Sequence, residues 1–275
     1  MDDGFFGPAS ITWKIHAHPC MLVGGLRALL LQALNPRAMA AVDQHSTYKD
    51  DPWGRLTATS RYITDTTFGD TARAEAAAAR VRQIHRHVRG FDDFSGLPYD
   101  AEDPELLLWI HCAEIDSFLA GYRAFGGRLE DEEADLYVAE MVTAAELVGV
   151  NRDDVPDSVV ALNRYLDDQD LVASPAARAA MRFILFPPVV WPGGSYPRIP
   201  GGRLLAIPAR AGWTLPSAGA VALLPDRARR AYRLPNLRPT LPALRLAMPA
   251  FIKALQIVAP PPPGLAELQA RIHAA

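Results

Sequence analysis

The sequence predicts an all-α protein: one multi-helix domain with a proline-rich, partly irregular C-terminal extension. Three observations carry this. Apolar residues recur at spacings of three and four through the first two-thirds of the chain. Helix starts with a capping residue followed by proline stand at Asn35-Pro36 and Asp103-Pro104. The helix that Asp103 opens carries Leu106, Leu107, Leu108, Trp109, Ile110, Ile115, Phe118 and Leu119, and a helix apolar nearly all round reads as a central one.

Each element has a local cause. Residues 24–34 form an apolar helix, ended by Asn35-Pro36, and Pro36 suits the first position of the next helix, which runs to about residue 48. Residues 50–54 read as a turn, and 55–68 as a helix ending at Gly69. Residues 71–89 form an alanine-rich helix with Asp70 as cap and Gly90 as stop. Residues 91–101, rich in Gly, Asp and Pro, read as a loop. The central helix follows, with Glu105 in its first turn, to about residue 125. Residues 130–147 and 157–167 are amphipathic helices. After about residue 183 prolines crowd in and periodicity weakens, apart from pieces near 217–224, 225–232 and 242–257. Residues 1–183 are therefore expected to be a helical core, with 184–275 an extension packed on it through Trp191, Trp213 and many aliphatics.

Composition narrows the class. The chain has 275 residues, 49% of them hydrophobic, enough for a sizeable core. Lys+Arg 28 against Asp+Glu 31 gives a net charge of −3, with no basic signature for nucleic acid. Two distant cysteines, Cys20 and Cys112, argue for a reducing compartment and against a disulfide scaffold. The start Met-Asp-Asp-Gly-Phe-Phe has no basic and apolar leader pattern, and the longest apolar run, 21–34, is broken by Arg27. The expectation is a cytoplasmic protein without a transmembrane segment. Residues 244–257, apolar with Arg245 and Lys253, suit a membrane interface or a cover over a pocket.

His85 is the most informative residue. Ala74, Ala78, Val81, His85 and Val88 form one stripe of their helix, and Ala76, Arg80, Gln83 and His87 the wetter opposite stripe. His87 is thus expected to look outward and His85 inward, where an imidazole needs a hydrogen bond or a metal. Periodicity alone favours a core histidine satisfied by a carbonyl or carboxylate.

Other residues cluster around it. Gln44-His45-Ser46 precedes Asp51-Pro52-x-Gly-Arg55; Arg55, Thr59 and Tyr62 share one helix face; Val81, Ile84, His85, Val88 and Gly90 follow, and then Asp103-Pro104-Glu105 with His111 and Asp116-Ser117 on the central helix. With Gly24-Gly25-x-Arg27-Ala28 upstream, these motifs make the chain resemble the mpaB-type oxygenases and the rubber-cleaving latex clearing proteins over roughly residues 5–240. The resemblance implies an all-α core, a non-covalently bound haem b, an iron ligand at His85, and Arg55 and Thr59 on the distal side. It also implies oxidation of an apolar small molecule by dioxygen. Latex clearing proteins carry a distal lysine before the threonine; here that position is Ala58, so polyisoprene cleavage is not expected.

The chemistry of the residues agrees. Neutral imidazole on an apolar helix face is a usual haem ligand. Arg55 and Arg82 are candidates for the propionates, and Thr59 for a distal hydrogen bond. His111 is the rival ligand, or a buried partner of Asp116, Glu114 or a propionate; Glu114 and Asp116 are expected to be paired. Bland alternatives stand beside these: Arg55 in a salt bridge to Asp50 or Asp51, Thr59 bonded back to the Arg55 carbonyl, His45 holding a loop, Cys112, Tyr62 and Trp109 as core. His16-Ala-His18, read as extended, would with Asp43 or His45 make a weak zinc or non-haem iron cluster. Two functions compete with the oxygenase: a non-catalytic haem or apolar-ligand binder, and a metal-dependent hydrolase.

Overall fold

The computed structural model describes residues 2–187 and 202–258. Its elements in order are α1 (Ile11–His16), α2 (Met21–Gln32), α3 (Pro36–His45), α4 (Pro52–Phe68), α5 (Thr71–His85), β1 (Arg89–Asp92), β2 (Leu97–Asp100), α6 (Pro104–Phe125), α7 (Asp131–Val148), α8 (Val159–Asp167), α9 (Pro175–Leu185), α10 (Gly202–Leu223), α11 (Asp226–Tyr232) and α12 (Leu241–Val258). The fold is all-α, with one two-stranded antiparallel hairpin pairing Arg89 with Asp100 and Asp92 with Leu97.

The caps form as their chemistry dictates. Asn35 accepts from the Ala38 N–H, Asp51 from Gly54, Asp70 from Arg73 and Ser158 from Ala161. Glu130 and Glu133 make a capping box at the start of α7. Asp103 accepts from Glu105 ahead of Pro104, and α6 does become the central helix, with Trp109, Cys112, Ala113, Ile115 and Phe118 at most 2% exposed.

The core is built on the crossing of α2 and α6. Gly24 and Gly121 meet there. A Cβ on Gly121 would lie 3.1 Å from Gly24 Cα, and one on Gly24 would lie 3.1 Å from the Ser117 carbonyl. Only a missing side chain lets the two backbones approach so closely. Helix α10 packs on α2, α12 on α10 and α6, α7 and α8 on α6, and α9 on α2 and α3. Ala220, Val221 and Leu224 belong to the same apolar cluster as Leu30, Leu34 and Ile115, so this part of the proline-rich stretch is core. Trp213 donates to the Ile184 carbonyl at 3.0 Å; Trp191 lies outside the described residues. In α12, Leu244 and Met248 are buried while Leu246 is 84% exposed.

Three expectations need correction. The stretch 91–101 is largely the hairpin rather than a loop, because Asp92 turns the chain by accepting from Phe94 and Ser95 N–H groups. Helix α5 stops at His85, short of Gly90, since residues 89–92 join a strand. His16 is not extended: it ends α1, a helix started by Ser10 accepting from Trp13. No helix among the described residues is long and apolar enough to cross a membrane.

Candidate functional site

Helices α4 and α5 form an antiparallel hairpin about the short link at Gly69-Asp70, which sets residues equally far from the link abreast. Arg55 near the start of α4 thereby comes opposite His85 at the end of α5, close enough for the Arg55 charge to bear on the imidazole. The closed end of the hairpin is anchored. Asp65, Thr66 and Thr67 are buried, the Thr67 carbonyl accepts from Trp13 Nε1 at 2.7 Å, and Thr67 Oγ1 bonds His16 Nδ1 at 2.8 Å. Arg73 closes on Asp65 at 2.5 Å.

The open end is different. From Pro52 to Thr64 no described residue of α4 is buried. On α5, Val81, Arg82 and His85 are half-buried and Ile84 is 56% exposed. Neither helix makes more than marginal contact with α6, although Tyr62 of α4 lies within electrostatic range of Glu114 of α6. The open ends of α4 and α5 thus stand apart from the central helix across a cleft.

Four polar side chains on these three helices have no protein partner. Nδ1 of His85 and Nε2 of His111 are buried without a hydrogen bond, and neither the Tyr62 hydroxyl nor the Glu114 carboxyl is hydrogen-bonded or ion-paired. Native proteins satisfy nearly all such groups. Burial lowers the pKa of His85, the Glu102 charge opposing and the Arg55 charge adding; it pushes His111 down to about 4 and Glu114 up to about 7. Burial thus favours the neutral form of both imidazoles, which carries one N–H and one lone pair.

The other candidates fall as follows. Arg55 is exposed and makes no ion pair to Asp50 or Asp51; its Nη1 donates to Thr59 Oγ1 at 2.5 Å, and that hydroxyl donates back to the Arg55 carbonyl at 3.0 Å. Arg82 gives an N–H to the Leu147 carbonyl at the end of α7 and lines a groove of about 710 Å³ between α5 and α7, floored by Ala72, Ala76 and Ala79. That groove contains none of the unpartnered groups. His87 is exposed, as its stripe predicts, while His85 is half-buried rather than deep in the core, because α5 runs out past the edge of α7. Trp109 and Cys112 are core; Tyr62, half-buried, faces the cleft.

The remaining histidines among the described residues are held by hydrogen bonds. His16 Nε2 bonds Tyr137 at 3.0 Å, His18 Nδ1 accepts from the Cys20 N–H, and His45 Nε2 bonds Tyr99 at 3.0 Å. Among the described residues no group of three metal-ligating side chains comes together. Asp116 is paired as expected, with Arg27 at 2.7 Å, but Glu114 is not. No cation comes to Glu114 along its own helix: the basic residue three positions back is His111, which burial holds in its neutral form.

The family of the ER-bound oxygenases mpaB/B' and the rubber oxygenases, catalytic domain, matches residues 13–254. The chain belongs to this family. The match spans every helix from α2 to α11 and so includes the whole α4–α5–α6 arrangement, which makes the cleft part of an oxygenase catalytic domain. No curated protein and no solved structure matches the chain.

Proposed function

We propose that this protein is a haem b-dependent oxygenase-like enzyme that oxidises an apolar small molecule with dioxygen, with His85 as the axial iron ligand. The observation that carries the reading is the open end of the α4–α5 hairpin, where no described residue of α4 from Pro52 to Thr64 is fully buried and where His85 has no protein partner. The residues suit the group. His85 is neutral, without a competing hydrogen bond, and flanked by half-buried Val81 and Val88. Haem, when bound, supplies the dioxygen chemistry that no side chain here provides.

The chain's own residues supply placement. Arg55 keeps further N–H groups for a propionate beyond the one given to Thr59. Thr59, its hydroxyl hydrogen committed to the Arg55 carbonyl, accepts from Arg55 Nη1 and so would orient that arginine toward a bound propionate. Arg82, already serving Leu147, has less to offer a propionate than Arg55. His111 presents a second neutral imidazole from α6. The apolar surfaces of α5 and α6 suit an apolar substrate. Ala58, in place of a lysine, argues against polyisoprene as that substrate.

The test is an absorption spectrum of untagged protein from haem-supplemented cells, with a pyridine haemochrome assay. A strong Soret band at near-stoichiometric haem is expected; its absence from folded protein overturns the proposal. The Ala58 departure also motivates a non-catalytic haem binder, and dioxygen consumption with an oxidisable apolar substrate excludes it.

A further inference from the structure

We propose that the basic C-terminal part of this chain docks on an anionic lipid surface, with the outward face of α12 as the contact. The charge of the sequence is sharply divided. Residues 1–170 hold 15 Lys and Arg against 29 Asp and Glu, whereas residues 171–266 hold 12 against one. The net charge of −3 conceals this division. A positive segment on an acidic body is drawn to a polyanionic surface.

Much of that positive charge is free. Asp226, the one acid, is closed on Arg229 and Arg238. Arg182 of α9, Arg230 and Arg233 at the end of α11, and Lys253 of α12 are exposed and make no ion pair among the described residues. Arg245 of α12 commits only its Nε, to the Ala124 carbonyl at 3.2 Å. Helices α9 and α12 both pack on α10, and Arg178 of α9 donates to the Ala231 carbonyl of α11, so these helices are gathered in one part of the fold.

Helix α12 supplies the apolar half of the contact. Leu244 and Met248 face inward and are buried, with Phe251 and Ile252 half-buried. Every exposed residue from 242 to 254 is Pro, Ala, Leu, Arg or Lys, with no acid and no uncharged polar side chain. A helix that meets only water carries a polar face there. Leu246 at 84% and Phe186, just past the end of α9, at 78% are the most exposed large apolar side chains among the described residues. Arg245 and Lys253 bracket Leu246 and Pro249 along α12, so their stems can follow an apolar interface while their charges reach headgroups. Lys253 also borders a hollow of about 390 Å³ walled by His18, Phe125, Pro249 and Ile252, a cation beside apolar surface as a lipid headgroup and chain require. A nucleic acid would answer the cations but would leave Leu246 and Phe186 nothing apolar to bury against. Neither haem nor the cleft enters into this contact.

The test is co-sedimentation of the full chain with vesicles of phosphatidylcholine alone and of phosphatidylcholine mixed with phosphatidylserine. Binding to the mixed vesicles only, released by raised salt, is expected. Arg230→Glu combined with Lys253→Glu reverses two cations that hold nothing in the fold, and should weaken that binding by about a hundredfold or more at low salt. Leu246→Ser, at a side chain that touches little protein, should weaken it several-fold and keep its salt dependence. Both variants should unfold at the wild-type temperature. Folded protein that ignores both vesicles, binds them equally, or binds the mixed vesicles as well with both cations reversed overturns the proposal. Tighter binding to a DNA duplex than to the mixed vesicles overturns it too. So does self-association of the wild type that the double variant abolishes, since the face would then hold the acidic part of a second copy.

Discussion

The Arg27 guanidinium meets the Asp116 carboxylate at 2.7 Å, donates to Ser117 Oγ at 2.6 Å and reaches the Leu223 carbonyl at 2.9 Å. One nearly buried side chain thus ties α2, α6 and α10 together behind the cleft. Arg27→Ala would leave Asp116 without its cation, and is expected to cost about 3–5 kcal/mol in urea unfolding. The Arg27→Ala, Asp116→Ala pair should cost less than the sum of the single changes.

The α2–α6 crossing makes a steric prediction. At Gly121 a methyl group would stand 3.1 Å from both Cα and N of Gly24, so backbone rather than a flexible side chain must yield. Gly121→Ala should lose about 1–3 kcal/mol of stability despite the better helix propensity of alanine. Thermal unfolding checks it: an unchanged midpoint would mean the helices separate freely.

Acid sensitivity follows from two buried histidines. Burial lowers His16 to about 3 and His111 to about 4, below the ordinary 6.5. The unfolded chain therefore binds more protons, and their contribution, full above 6.5, is lost as pH falls from 6.5 toward about 3. His111→Leu should flatten this acid limb. By removing an unsatisfied buried nitrogen it should also raise stability at neutral pH by about 1 kcal/mol in haem-free protein.

Arg55 and Thr59 bond mainly to each other on one exposed helix face. Arg55→Ala and Thr59→Val are expected to change stability by no more than about 0.5 kcal/mol. On the proposed function, haem retention in Arg55→Ala should fall nonetheless, because the arginine would hold a propionate. Equal haem retention with equal stability would remove Arg55 from the site.

Much of the fold was legible because local chemistry and tertiary packing agree. Asn35, Asp70 and Asp103 cap the helices their side chains predict, and the apolar wrap of residues 106–119 does mark the central helix. The hairpin was not legible, since its strands are four residues long and lack the branched residues that mark β structure. Nor was α1, six residues long, where the spacing of His16 and His18 suggested an extended chain. At the site, the stripe separating His85 from His87 was visible in the sequence. The openness of the hairpin end was not, because helical periodicity says which face is apolar but not whether protein covers it. Glu114 shows the same limit: its pairing depends on residues of α2, α5 and α7 that have other partners in space.

The most direct measurement is haem content, by pyridine haemochrome, of His85→Ala beside His87→Ala. Both residues lie at the end of the same hairpin arm, His85 half-buried and His87 exposed. The account predicts that His85→Ala, folded as wild type, loses its bound haem while His87→Ala keeps it. Equal haem content in the two variants would contradict it.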